Sequence, residues 1–167
     1  MLPSLLFAIL LHEGGHALAI LLFGGRIYRL TPHFFGLTIT TEALSHNTDR
    51  IAVFLAGPFF GILGYLLAAP FESLSPFAEI SLGLSLFNLL PIETLDGGEA
   101  LRILLCELFP PRIGKRIAGG ISLFFLLPLW MSAVYLLLFM NGNPSLFFLS
   151  LWLFFRKISQ KHHPSPS

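Results

Sequence analysis

His12, Glu13 and His16 spell His-Glu-x-x-His inside a nearly unbroken apolar run from Leu2 to Gly25. Two histidines four residues apart on a helix share one face, so both imidazoles can bind a single zinc ion. The glutamate between them stands beside that metal, where a carboxylate can take a proton from zinc-bound water. Glu13 is the only acidic or basic residue in the run apart from the histidines. Ionisable groups at membrane depth are costly and point to function by default. A bland reading has the three side chains only hydrogen-bonding across a helix bundle. It leaves a heavy desolvation burden uncompensated, which a metal relieves.

Catalytic zinc takes three protein ligands and keeps one position open. The first helix supplies two. His33 and His46 fall in the polar link that follows it, and His162 and His163 in a polar tail, so none is placed at membrane depth. Asp96, in Leu95-Asp96-Gly97-Gly98, is a buried acid that needs a partner or a metal. It could instead cap the half-helix that follows. Glu93 competes as a ligand. Asp96 is preferred because the glycines after it permit close approach to the first helix. Two neutral histidines, one aspartate and one hydroxide would leave a formally neutral zinc centre, tolerable at low dielectric. The expectation is one zinc per chain.

The elements that must position these residues are membrane helices. Of 167 residues, 54% are hydrophobic and 11% charged, against about 25% charged in soluble domains. The composition is that of a polytopic membrane protein. No basic patch is large enough to be a nucleic-acid footprint. The single Cys106 excludes an internal disulfide. The start lacks a basic leader region and a small-residue cleavage site, so it reads as a retained transmembrane helix.

Five apolar segments can be drawn: about Leu2–Phe23, Ile51–Ala69, Phe77–Leu108, Ile117–Phe139 and Pro144–Phe155. The third is broken near Pro91 and the fifth is short for a span. The expected fold is thus an all-α polytopic membrane protein of about five transmembrane helices, the third of them broken. Pro3 suits a first helical turn and Gly24-Gly25 a helix stop. Pro58 and Pro128 read as kinks, and Gly57, Gly61 and Gly64 as small residues that let helices pack closely. Glu99 and Arg102 are spaced to pair on one helix face. Between the first two helices, Arg26–Leu30 and Leu37–Thr41 alternate polar with apolar β-formers, which predicts a small hairpin or sheet. Ser45–Asp49 reads as a turn and cap before the second helix.

Loop charges predict the orientation. Nine of the ten Lys and Arg residues fall in the Gly24–Arg50 link, the Pro110–Arg116 link or the tail, and Arg102 can snorkel. Basic loops face the cytoplasm. The N-terminus is then outside, the C-terminus inside, and the histidines nearer the cytoplasmic side. Residues 1–159 form one integral membrane domain, and 160–167 a disordered cytoplasmic tail.

Taken together, His12-Glu13-Gly14-Gly15-His16, then Ala56-Gly57-Pro58, then Asn88-x-x-Pro91 leading to Leu95-Asp96-Gly97-Gly98, resemble the site-2 proteases in order and spacing, over about residues 5–108. These are intramembrane zinc metalloproteases. The stretches Gly25–Leu30 and Asn88–Ile92 look most like the sporulation subgroup that processes pro-sigma-K. The resemblance implies His12, His16 and Asp96 as zinc ligands, Glu13 as general base and acid, and Asn88 as a holder of the substrate backbone or oxyanion. It implies a membrane-embedded or membrane-associated protein substrate, a membrane regulatory partner and a bacterial cell membrane. Thr94 departs from the proline of some relatives, and no nucleotide-sensing or PDZ domain is evident. A catalytically inactive metal-binding scaffold is the alternative; a transporter is disfavoured by the lack of an inverted repeat.

Overall fold

The structure, a computed structural model, describes residues 2–33, 36–41, 44, 46–139, 148 and 150–154, with backbone alone along 29–33 and 36–41. Among the described residues the elements run in the order α1 (Leu2–Leu22), β1 (Ile27–His33), β2 (Gly36–Thr41), α2 (Asn47–Ala68), α3 (Ser75–Asn88), α4 (Asp96–Leu108) and α5 (Pro111–Phe139). A short 3-10 turn, Glu72–Leu74, joins α2 to α3. Among the described residues, α1, α2 and α5 are long and apolar enough to cross a bilayer. The chain is a membrane protein of mostly helical build.

The third apolar segment is two half-length helices. α3 has 14 residues and α4 has 13, so each is about 20 Å long, short of the roughly 30 Å hydrocarbon layer. Of the fifth segment, residues 148 and 150–154 are described, and they are helical; the rest of it, and the tail, lie outside the described residues. Pro58 and Pro128 both sit within continuous helices.

The distribution of side chains is inverted relative to a soluble protein. The interior is lined largely by Ala8, Ala19, Ala78, Ala100, Ala118 and Ala133, with Ser81, Ser85, Ser122 and Ser150, all buried. Large apolar side chains such as Leu22 (75% exposed) and Phe124 (72%) point outward. Small residues let helix backbones approach where lipid already satisfies the large ones. Gly61 of α2 leaves room only for the Ser85 hydroxyl of α3, and Gly15 of α1 faces the Ala56 carbonyl and the Phe60 ring of α2.

α1 ends where its glycines allow. Gly24 has φ +76°, and its N–H reaches the Leu21 carbonyl at 3.1 Å while the Gly25 N–H reaches that of Ile20 at 2.8 Å. These two bonds satisfy the last carbonyls of the helix in a Schellman turn, and the left-handed residue is a glycine because it has no Cβ to clash. The chain then enters an antiparallel hairpin in register from Ile27 opposite Thr41 to His33 opposite Gly36, with an irregularity between Ile27 and Arg29. The expected cap cluster differs in detail. α2 begins at Asn47, so Asn47, Thr48 and Asp49 are already helical, and His46 occupies the cap with no side-chain bond. Neighbouring cap-forming residues compete, and the sequence alone does not choose among positions one or two apart.

Candidate metal centre

α1 places His12 and His16 on its buried face, beside Ala8, Gly15, Ala19 and Ile20. The His16 Nδ1–H donates to the Val53 carbonyl of α2 at 2.7 Å. A carbonyl can only accept, so Nδ1 carries a proton, and in the neutral ring Nε2 then presents a bare lone pair. Gly57, one turn beyond Val53, lies flat against this imidazole: a Cβ there would come within 2.6 Å of His16 Cε1 and 2.8 Å of Cδ2. α2 therefore both orients the ring and leaves it space.

Three ligand-type atoms converge. His12 Nε2 lies 3.0 Å from Asp96 Oδ2, His16 Nε2 lies 3.3 Å from the same oxygen, and the two Nε2 atoms are 3.3 Å apart. A proton on one imidazole can satisfy one edge of this triangle at a time. A cation satisfies all three. Four tetrahedral ligands at 2.0–2.1 Å from zinc are about 3.3 Å from one another, so the triangle has the size of one face of a zinc tetrahedron. The donor set of two imidazoles and one carboxylate, with a fourth position left over, is that of a catalytic zinc centre. The residues present therefore fit the metal. His12 and His16 are nearly closed off, with side chains 5% and 10% exposed, and Asp96 at 18% is the most open of the three.

Asp96 arrives by a tight connection. After α3 the chain turns on itself, with the Leu90 N–H on the Phe87 carbonyl, the Ile92 N–H on that of Leu90, and the Leu95 N–H on that of Ile92. Leu95 is extended, and α4 starts at Asp96. The partial positive charge of a helix N-terminus favours a carboxylate there. Gly97 and Gly98 abut the backbone carbonyls of Leu89 and Ile92 respectively. Both glycines thus accommodate the folded-back connection.

Glu93 stands apart from the cluster. Its backbone N–H bonds the Ser122 hydroxyl of α5 at 3.1 Å, and a Cβ on Gly119 would lie 3.6 Å from its Oε1. Glu13 is half-buried on α1, three residues before His16 and so next to it on the helix surface. Asn88 is the last residue of α3, and its Nδ2 donates to the Leu84 carbonyl at 2.9 Å. His46 is exposed at the start of α2, and His162 and His163 lie outside the described residues. Glu99 and Arg102 do pair, at 2.6 Å. The roles of Val53 and Gly57 escape a reading from spacing alone. Gly57 was readable only as a packing glycine, since nothing in the sequence says which side chain it meets.

Comparison with known proteins agrees with the geometry. The family described as "Peptidase M50B-like" matches residues 1–93, over half the chain, although that match ends before Asp96. Stage IV sporulation protein FB of Bacillus subtilis (strain 168) is 32% identical over 136 residues, which cover 75% of this chain and 47% of that protein. The Synechocystis sp. protein sll0528, provisionally named a zinc metalloprotease, is 32% identical over 117 residues, covering 62% of this chain and 31% of that one. The chain thus spans about half or less of the length of these curated relatives. The site-2 protease from Methanocaldococcus jannaschii superposes with a TM-score of 0.72 at 20% identity, over 98% of this chain and 78% of the other, a likeness of fold. With the His-Glu-x-x-His helix inside the matched region, the chain belongs to the M50B-like peptidases, the site-2 protease family of membrane metalloproteases.

Proposed function

We propose that the protein is a zinc endopeptidase that cuts a membrane-embedded or membrane-associated protein segment. The observation that supports this most is the triangle of His12 Nε2, His16 Nε2 and Asp96 Oδ2, closed to 3.0–3.3 Å inside an apolar helix bundle. These three residues would hold one zinc ion. Bound zinc supplies Lewis-acid polarisation of a peptide carbonyl and brings the pKa of water towards neutrality. Glu13 accepts the proton of the attacking water and returns it to the leaving amine. Val53 and Gly57 hold the His16 ring in the tautomer and orientation that point Nε2 at the centre. Asn88 would hold the substrate backbone or the oxyanion, with the second N–H of an amide whose first is given to Leu84.

A helical substrate hides its carbonyls in its own hydrogen bonds, so it must unwind before cleavage. The hairpin between α1 and α2 is suited to receive the unwound strand by edge pairing. The basic links and tail support a cytoplasmic position for the hairpin. His16 lies six residues before the end of α1, which sets the centre about 9 Å below that side. The resemblance of Gly25–Leu30 and Asn88–Ile92 to the sporulation subgroup supports a pro-sigma factor as substrate and a membrane regulatory partner. An inactive scaffold on the same core is the other reading, and Glu13 beside the ligands speaks against it.

The test is Glu13→Gln, which keeps size and hydrogen bonding but removes the base. The variant should retain zinc and lose cleavage by about two to four orders of magnitude, so that mass spectrometry of peptides trapped on it identifies the substrate. Near-normal turnover would mean that another group is the base.

A further inference from the structure

The connection that delivers Asp96 is gripped from one side by α5. Ile92 and Leu95 of the connection pack with Leu126 of α5 and Leu153, and all four are buried. Ser122 is 0% exposed. It lies one helical turn before Leu126 on the buried face of α5, and its hydroxyl accepts the Glu93 N–H at 3.1 Å. The neighbouring amides of Ile92 and Leu95 are bonded within the connection itself. The Glu93 bond to Ser122 is therefore a polar tie between the connection and α5. Three residues further on stands Asp96, whose Oδ2 must meet two imidazole nitrogens at once.

We infer that Ser122 is a positioning residue for the metal centre. It acts through the Glu93 backbone, fixing the height and rotation at which α4 begins and so the point where Oδ2 meets His12 and His16. Ligand groups hold a metal only when placed to within about 0.5 Å. Apolar packing against Leu126 limits how far the connection can move, but it is non-directional and does not fix rotation about the chain axis. A directional hydrogen bond does. Ser122 is fully buried, so without its hydroxyl the Glu93 amide loses this acceptor, turns to seek another partner and carries Asp96 with it. This inference rests on the proposed zinc centre.

The test uses the full chain in detergent. Zinc affinity is measured by chelator competition, and ligand geometry by the visible spectrum of the cobalt-substituted protein. Ser122→Ala removes the acceptor. Ser122→Cys keeps a group of similar size in the same place but accepts hydrogen bonds weakly, so it reports even where alanine does not fold. Ser122→Thr restores the hydroxyl. Ser132→Ala removes an exposed serine of the same helix whose hydroxyl bonds Leu129. Ser122→Ala and Ser122→Cys should bind zinc about 10–100-fold more weakly with a shifted cobalt spectrum. Ser122→Thr and Ser132→Ala should match the parent. Parental affinity and spectrum in Ser122→Cys would overturn the inference while leaving the zinc centre intact, and so would an equal loss in Ser132→Ala. A parent chain that binds no zinc would overturn both.

Discussion

Gly57 has no side chain because His16 occupies the space where one would be. Gly57→Ala would drive a methyl group into the imidazole that the Val53 carbonyl holds. Relieving that overlap means moving α2 or tilting the ring, at a cost of about 1–3 kcal/mol. The expected outcome is a lower melting temperature together with reduced zinc content. Gly83→Ala is the comparison: a Cβ there meets nothing within 4 Å, and alanine is the better helix former by about 1 kcal/mol, so stability should hold or rise and zinc content should not change. Equal behaviour of the two variants would mean that Gly57 does not guard the ring. At this scale the sequence is legible in part. Helical periodicity puts His12 and His16 on one face, but it does not name what opposes them. Gly57, Gly97 and Gly98 are all readable as close-approach glycines, while their actual neighbours, a histidine ring and two backbone carbonyls, are set by contacts from other parts of the chain.

At the scale of elements, the hairpin and the broken third segment carry the most consequence. Both are legible because their signals are local. β-formers alternate with polar residues on either side of a short turn, and Pro91 with Gly97-Gly98 interrupts an apolar run. The start of α2 is less so, since three adjacent residues are all good caps and the structure uses none of them. If the hairpin grips substrate by edge pairing, proline placed singly along Leu37–Thr41 should slow cleavage at alternate positions and leave zinc content unchanged. Successive backbone N–H groups of a strand point to opposite sides, and proline has none to donate. Those that point at β1 would disturb the hairpin itself, so the circular dichroism of each variant accompanies its cleavage assay. Absence of loss at every position would place the substrate grip elsewhere, around Asn88.

The whole molecule is an apolar shell around small and polar residues, which is how a bilayer protein brings two histidines and an aspartate to one point without exposing them to lipid. Loop charge then sets which way it faces. The Gly24–Arg50 and Pro110–Arg116 links should be inside and the Pro70–Pro76 link outside. Single cysteines introduced into each link of a Cys106→Ser background, and labelled from one side at a time, check this; labelling of the Gly24–Arg50 link from outside would reverse the orientation. The membrane character and the pairing of His12 with His16 on one helix face are legible from composition and spacing. The side of α4 that meets α1 is not, because it depends on how the connection folds and on α5 behind it.

Metal analysis asks whether His12, His16 and Asp96 together build a zinc centre. Zinc per chain is determined by mass spectrometry on detergent-purified parent protein and on His12→Ala, His16→Ala, Asp96→Ala and Glu13→Gln. The parent and Glu13→Gln should each hold one zinc per chain, and zinc should fall steeply in each of the other three, because each removes one corner of the triangle. A parent chain without zinc, or undiminished zinc in Asp96→Ala, would contradict this ligand set.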